Sequence, residues 1–266
     1  MRYNHNMSSP PPPAPATTPR RLAWEVWLVM GLSLGRSGVN AVIALIDAYT
    51  RGPIGDQTAT LNPSLSARPA FDLIYQLLSI LFALLPVLLA LYLISADRPR
   101  LWRHLGLDAR SPGRDLGWGL ALGAVIGIPG LGLYLAGRAL GVSLEVSTSG
   151  LADHWWTIPM LILAAAKNGV LEEVLVVGYL TERLRRLRWG AAGIVVTSAA
   201  IRASYHLYQG WAAFAGNFVM GVIFSVFYLR RGRLWPLVIA HTLIDVAAFV
   251  GYAYLPESWL AALGVR

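Results

Sequence analysis

Long apolar stretches, separated by short connections that carry arginine, constrain this chain more than any other feature. A helix needs about 20 apolar residues to cross a bilayer, and several stretches reach or approach that length. The chain has 266 residues, of which 56% are hydrophobic and only 14% are charged. Soluble domains carry about 25% charged residues. We therefore predict an all-α fold, a polytopic bundle of transmembrane helices.

The apolar stretches predict where the membrane spans lie. We expect about seven spans and leave open an eighth, partial one near the C-terminus. The seven cover residues 23–48, 71–95, 116–140, 156–180, 191–208, 211–229 and 234–255. Arg36 interrupts the first span and predicts a kink or a buried polar contact there. Residues 100–107 are weakly amphipathic, which favours a position along the membrane interface.

The placement of arginine predicts which way the spans run. If the N-terminus is cytoplasmic, the second, fourth and sixth connections are cytoplasmic too, and these hold most of the arginines between spans. Short loops rich in arginine tend to stay on the cytoplasmic side. We therefore expect a multi-pass protein of the cell (inner or plasma) membrane with a cytoplasmic N-terminus.

Composition divides the chain into regions and excludes some partners. We expect a disordered, proline-rich cytoplasmic N-terminus at 1–21, transmembrane helices and loops at 22–155, a helical core at 156–255 and a short tail at 256–266. The net charge of +8 comes from arginines that anchor the protein to a lipid bilayer, so no nucleic acid partner is expected. The absence of cysteine excludes disulfides and thiolate sites. No particular oligomeric state is predicted.

Ionisable residues lie inside the predicted fourth to seventh spans, where they are costly. A charged group near the centre of a span costs about 2.5–3.5 kcal/mol on insertion scales. These residues are Lys167, Glu172, Glu173, Arg202, His206, His241 and Asp245. Interhelical pairing explains any one of them as well as function does. The whole set, however, predicts one shared polar site.

Spacing within the helices adds detail to this site. Residues four apart share a helix face, and two pairs have that spacing: Arg202 with His206, and His241 with Asp245. Glu172 and Glu173 are adjacent and so lie about 100° apart around the helix axis. We therefore expect the two glutamates to face different directions and to have different roles.

The order of these motifs resembles the CPBP family, the CAAX prenyl protease 2 and bacteriocin-processing group, also called Abi proteins. The likeness covers residues 156–250. The E-E-x-x-x-R motif matches at Glu172 and Glu173, and F-x-x-x-H matches at His206. The Asp variant of H-x-x-x-N matches at His241 and Asp245. The resemblance implies an intramembrane endopeptidase of the glutamate type, often labelled a metalloprotease, that cleaves a membrane-associated protein or peptide.

The resemblance also implies roles for the matching residues. Glu172 and His206 would hold and activate a water molecule, while His241 and Asp245 would face the oxyanion. An ionised Asp lacks the amide donor of Asn. Asp245 would therefore be protonated, orient His241 or ligate a metal. We favour metal-independent catalysis over Zn²⁺ held by Glu172, His206 and His241, because the H-E-x-x-H helix signature is absent.

Two positions depart from the family pattern. Val177 stands where the first motif has arginine, and Arg202 stands where the second motif has phenylalanine. If Arg202 reaches across to Glu173, the charge balance is kept with the donor moved to another helix. Arg202 and Glu173 would then be supporting residues of the site.

Other functions remain open on the sequence alone. Loss of the motif arginine is also consistent with a catalytically inactive CPBP-like membrane adaptor or immunity protein. Buried Glu, His and Asp side chains carry protons in transporters, so a proton-coupled transporter is a further alternative. The prenylated substrate belongs to eukaryotic relatives, whereas bacterial members are associated with peptide maturation, self-immunity and membrane signalling.

Overall fold

The computed structural model describes residues 18–147 and 149–254, and this part of the chain is a bundle of helices. The α-helices are α1 (Pro19–Met30), α2 (Arg36–Arg51), α3 (Pro69–Asp97), α4 (Leu101–Leu105), α5 (Pro112–Ala139), α6 (Thr157–Glu172), α7 (Leu180–Arg186), α8 (Ala191–Ser204), α9 (Trp211–Arg231) and α10 (Trp235–Tyr254). Two short strands, β1 (Thr58–Thr60) and β2 (Glu145–Ser147), pair in parallel. The predicted all-α fold is confirmed.

Several predictions concern the chain ends. Several predicted segments lie outside the described residues. They are the tail at 256–266, the open eighth segment, residue 255 of the last predicted span and most of the predicted disordered N-terminus. Helix α1 already begins at Pro19, and the Thr18 hydroxyl accepts a hydrogen bond from the Arg21 amide. Thr18 is thus the N-cap, and proline suits the first turn because it lacks an amide hydrogen that would need a partner.

Four helices in the described part are long and apolar enough to cross a membrane: Pro19–Arg51, Pro69–Asp97, Pro112–Ala139 and Trp211–Arg231. Helix α8 and the described part of α10 are apolar but shorter. The continuous helix from α6 through α7 carries too many charged side chains to meet the same criterion. The total of seven spans therefore remains a prediction, and the helices that miss the criterion are those carrying the candidate site.

The first predicted span is one continuous helix with an irregular centre. Five residues, Gly31–Gly35, form π-helical turns between α1 and α2, directly before Arg36. These turns lie where a kink or a buried polar contact was predicted; the polar contact is not present, because the Arg36 side chain is exposed. Residues 100–107 contain the short helix α4, in which Leu105 is fully buried in the main core.

Helix α10 has two major packing partners in the bundle. Helix α10 lies against α5 on one side and α6 on the other, while α8 packs against α9. A Cβ atom at Gly169 of α6 would come within 2.5 Å of the Thr242 hydroxyl and 3.0 Å of the Val238 carbonyl oxygen. Glycine therefore allows the α6 and α10 backbones to approach closely, as small residues do in membrane bundles.

Helix α8 is short because the chain leaves the helical path at Tyr205. A 3₁₀ turn, Leu207–Gln209, follows and leads to Gly210. The Trp211 amide donates to the Val142 carbonyl oxygen over 3.0 Å, and the Leu144 amide donates to the Gln209 carbonyl oxygen over 3.2 Å. These bonds satisfy a non-helical backbone segment that would otherwise be costly near lipid.

Ion pairs join the ends of helices at the arginine-rich connections. Arg183, which is 1% exposed, contacts Glu25 at 2.7 Å and Asp97 at 2.9 Å. In the next connection Arg233 contacts Asp108 at 2.9 Å and also pairs with Asp115. These pairs fasten α1, α3 and α7 together and attach α5 to the start of α10.

Candidate active site

A single guanidinium group joins the two adjacent glutamates. Arg202 Nη1 lies 3.2 Å from Glu172 Oε2, and Arg202 Nη2 lies 2.5 Å from Glu173 Oε1. The side chains of Arg202 and Glu173 are 0% exposed, and that of Glu172 is 9% exposed. Arg202 also lies over the Phe224 ring, 5.5 Å from its centroid. The contact from Arg202 to Glu173 that the sequence suggested is present.

The expectation that the two glutamates face different directions needs correction. Both reach the same guanidinium, although they use different oxygens and different further partners. Glu173 opens the π-helical segment Glu173–Tyr179. A π-helix has more residues per turn than an α-helix, so adjacent side chains lie at a smaller angle, and such segments recur at functional sites. The long glutamate side chains close the remaining gap.

Glu173 fixes the orientation of His241. The Nδ1 atom of His241 lies 2.7 Å from Glu173 Oε1. An ionised carboxylate can only accept a hydrogen bond, so Nδ1 carries the hydrogen and donates it. The ring is therefore held with Nε2 pointing away from Glu173, as a carboxylate commonly fixes a functional histidine.

Glu172 is held from one side only. Its Oε2 atom accepts a hydrogen bond from the Tyr205 hydroxyl over 2.6 Å as well as from Arg202. No described residue hydrogen-bonds its Oε1 atom. Glu172 lies close enough to His206 and His241 for direct electrostatic interaction. One carboxylate oxygen is thus anchored, and the other is available to a molecule between these side chains.

His206 lies beside Glu172 but not on the helix face that the spacing predicted. Helix α8 ends at Ser204, and the His206 amide closes a turn onto the Ala203 carbonyl oxygen over 3.1 Å. The shared face with Arg202 is therefore lost. Both ring nitrogens of His206 are buried and lack a hydrogen-bond partner among the described residues. A buried histidine with two unmet nitrogens is unusual and points to a site for water or substrate.

Asp245 keeps the predicted relation to His241 but has additional partners. Asp245 Oδ1 lies 3.8 Å from His241 Nε2, which is beyond hydrogen-bond length. Its Oδ2 atom accepts a hydrogen bond from Asn168 Nδ2 over 2.8 Å. Lys167 Nζ in turn lies 2.5 Å from Asn168 Oδ1. Asp245 therefore faces His241 Nε2 without a direct hydrogen bond, at a distance over which its charge still acts on the imidazole.

Two of the side chains expected to ligate zinc have other partners in this structure. Within residues 18–147 and 149–254, no group of three or more His, Asp or Glu side chains is arranged to hold a metal ion. Arg202 already contacts Glu172, and Glu173 already binds Nδ1 of His241. A guanidinium inside the donor set opposes a second cation by charge repulsion. The predicted Zn²⁺ alternative, with Glu172, His206 and His241 as ligands, finds no support in this geometry.

Sequence reasoning missed two contributors to the site. Tyr205 precedes His206 directly and could have been suspected, because a buried tyrosine hydroxyl needs a polar partner. Asn168 lies 77 residues from Asp245 along the chain, and this separation gives no signal of their contact. Both residues bind carboxylates of the candidate site.

One comparison with known protein families gives a match to this chain. Residues 154–247 match a family model described as type II CAAX prenyl endopeptidase Rce1-like. Neither a curated protein nor a solved structure matches the chain significantly. The matched segment contains every candidate site residue named above. Within residues 154–247, the chain is therefore similar to the type II CAAX prenyl endopeptidase Rce1-like family.

Proposed function

We propose that this protein is an intramembrane endopeptidase that hydrolyses a peptide bond of a membrane-associated protein or peptide. The observation that carries the proposal is the environment of Glu172. Arg202 and Tyr205 anchor its Oε2 atom, while Oε1 has no hydrogen-bond partner among the described residues. The carboxylate also interacts electrostatically with His206, whose two ring nitrogens lack partners in the same part of the chain. A carboxylate held in this way is suited to bind and activate a water molecule.

Glu172 and His206 carry out the first chemical step. Glu172 accepts a proton from the bound water, and the resulting hydroxide attacks the carbonyl carbon of the substrate. His206 holds the water through one of its free ring nitrogens. The peptide C–N bond then breaks, and the leaving amine takes up the proton from Glu172. No cofactor supplies any part of this sequence.

His241 stabilises the oxyanion that forms during attack. Three carboxylates, Glu172, Glu173 and Asp245, surround the site with Arg202 and Lys167 as the nearby cations. One negative charge is then left without a counter-ion unless His241 carries a proton on both ring nitrogens. In that form Nε2 donates to the oxyanion, while Nδ1 donates to Glu173. Asp245 balances the charge and orients the ring.

Arg202 replaces the arginine that the first family motif carries. It contacts both glutamates from α8, whereas Val177 is fully buried in the apolar core. Removing one partner of a buried ion pair is costly because an uncompensated charge remains. The donor has therefore moved between helices, and the charge balance that the glutamates need is retained.

The proposal includes a location. The apolar helices and the arginine-rich connections support a multi-pass protein of the plasma membrane with its N-terminus in the cytoplasm. The active site then lies within the bilayer, and its most exposed carboxylate is Asp245, with a side chain that is 18% exposed. Substrate and water reach the site from the side of Asp245.

Cleavage by purified protein in lipid vesicles tests the proposal. A set of quenched fluorescent membrane peptides is incubated with the native protein, Glu172→Gln, His206→Ala and the control Asn217→Ala. The Asn217 amide donates a hydrogen bond within its own helix, to the Ala213 carbonyl oxygen at 3.0 Å. Activity should fall by about 10²-fold or more in the two site variants, as for loss of an acid–base group, and stay within about twofold in the control. Cleavage that survives Glu172→Gln would overturn the mechanism.

Two further arms separate the alternatives. Activity should persist in strong chelators, and loss with recovery on added Zn²⁺ would instead require a metal. The double variant Val177→Arg with Arg202→Phe restores the family's residues at both positions and should recover activity lost in Arg202→Phe alone. Proton uptake by vesicles without cleavage would indicate a transporter, and absence of cleavage and uptake for every peptide would favour the adaptor.

A further inference from the structure

Two neighbouring polar residues of α6 touch the site but take part in no proposed proton transfer or bond change. Lys167 is the only lysine in the chain, and Asn168 follows it. Lys167 Nζ contacts Asn168 Oδ1 at 2.5 Å, and Asn168 Nδ2 donates to Asp245 Oδ2 over 2.8 Å. The contacts run from α6 to α10 and end beside His241.

The lysine settles which way the amide of Asn168 points. An ammonium group can only donate hydrogen bonds, so it must face the amide oxygen. The amide nitrogen is then left to face Asp245, and a donor there requires an accepting carboxylate oxygen. The chain of contacts therefore has one direction, from the lysine through the amide to the carboxylate.

Asp245 needs such a tether more than the other carboxylates of the site. Its side chain is 18% exposed, compared with 9% for Glu172 and 0% for Glu173. Its separation of 3.8 Å from His241 Nε2 is too long for a direct hydrogen bond to hold it. Without Asn168, rotation of Asp245 toward the exposed side would take its charge away from the imidazole.

The backbone geometry keeps this tether short. Asn168 immediately precedes Gly169, where α6 and α10 approach so closely that a Cβ atom would meet the Val238 carbonyl oxygen at 3.0 Å. The amide of Asn168 consequently reaches the next helix with its short side chain. A side chain on a rigid helix is a precise support for a functional group.

We propose that Asn168, oriented by Lys167, is a positioning residue that holds Asp245 against His241. His241 is then fixed from both sides, by Glu173 at Nδ1 and by Asp245 on the side of Nε2. The catalytic use of this arrangement rests on the proposed function, but the arrangement itself does not. Asn168 and Lys167 would thus be further determinants of the geometry in which His241 meets the substrate.

A spectroscopic measurement tests the arrangement without any substrate. The protein is prepared with ¹⁵N-labelled histidine in lipid nanodiscs, and the His241 signals are assigned by their loss in His241→Gln. Asn168→Leu and Lys167→Met should shift the Nε2 signal of His241 more than its Nδ1 signal. Asn217→Leu, a matched change in another helix, should move neither. An Nε2 signal unchanged in both site variants would overturn the proposal.

A second experiment exchanges the residue types at positions 168 and 245. Asn168→Asp places two carboxylates face to face, and we expect kcat to fall by roughly 10–100-fold, as for a misplaced catalytic group. Adding Asp245→Asn restores one donor and one acceptor, and should return kcat to within about threefold with KM little changed. If the double variant cleaves no better than Asn168→Asp, the positioning role fails.

The spectroscopic and kinetic experiments distinguish failure of the positioning role from failure of the proposed protease activity. Expected Nε2 shifts with no cleavage by any form would leave the tether in place and remove the protease. Normal cleavage in Asn168→Leu, with an unchanged His241 spectrum, would support the protease and rule out the tether. Should Asn168→Leu not fold, Lys167→Met and the exchanged pair test the same contact.

Discussion

The charged residues of this protein form two kinds of cluster, at the helix ends and in the middle of the bundle. At the helix ends, buried groups pair with partners that reach solvent: Glu182 is 6% exposed and its partner Arg98 is 45% exposed, while Arg183 is 1% exposed and its partner Asp97 is 30% exposed. In the middle, Arg202 and Glu173 are both 0% exposed. Charged groups at the helix ends can therefore replace a protein partner with water, whereas Arg202 and Glu173 cannot.

The two kinds of cluster also differ in how completely their polar atoms are hydrogen-bonded. Glu182 uses both oxygens, one with Arg98 at 3.0 Å and the other with His104 at 2.8 Å. In the central cluster, Arg202 Nε, Glu173 Oε2 and both nitrogens of His206 are buried without partners among the described residues. Incompletely satisfied buried polar groups cost stability and are tolerated where they have a function. The helix-end clusters therefore stabilise the bundle, and the central one is suited to chemistry.

The largest expected effect comes from removing the central cation. Arg202→Leu leaves Glu172 and Glu173 buried without their shared partner, so we expect a loss of roughly 3–5 kcal/mol in the free energy of unfolding. Val177→Leu changes only the apolar packing on the neighbouring helix and should cost roughly 1–3 kcal/mol. Unfolding in detergent, followed by circular dichroism, measures both. Equal, small losses would contradict the transfer of the arginine between helices.

A smaller effect is expected at the helix ends. Glu182→Gln removes a buried charge whose partners remain partly solvated, so the loss should be about 1–2 kcal/mol. Arg98→Gln, at a side chain that is 45% exposed, should cost less than 1 kcal/mol. The same unfolding experiment compares the two. If Glu182→Gln proved as damaging as Arg202→Leu, the distinction between the clusters would be lost.

The smallest effect is expected at Asp108, and it depends on pH. Hydrogen bonds from Arg110 and then Arg233 hold the pKa of Asp108 well below its ordinary value. A carboxyl whose pKa is lower in the folded state stabilises the fold above its unfolded pKa of about 4, and this stabilisation fades as the pH falls toward the folded value. The native protein should therefore be slightly more stable than Asp108→Asn at pH 7.

The test compares melting temperatures of the two forms between pH 7 and pH 3. The difference should be constant above about pH 5 and shrink below about pH 4. Asp47→Asn is the control, because its partner Arg51 is 59% exposed and the pair should contribute almost nothing. A difference between native protein and Asp108→Asn that grows toward acid pH would show that the sign is wrong.

Much of the architecture follows from local sequence properties. Apolar stretches predicted the helical bundle because a polypeptide in lipid must satisfy its backbone hydrogen bonds within each helix. The His241–Asp245 pair kept its predicted relation because both residues lie inside one regular helix, α10. The same reasoning failed for His206, since α8 ends at Ser204 and helical spacing no longer applies beyond it.

The sequence by itself determined the helical class and which segments carry ionisable residues, because apolar length and the cost of buried charge are local properties. Only the tertiary structure decided which side chains meet. Arg202 spans two glutamates, Tyr205 anchors Glu172, and Asn168 reaches Asp245 from another helix. Such contacts depend on how helices cross, on the π-helical turns after Glu172 and on the close approach at Gly169, and spacing along one helix records none of these.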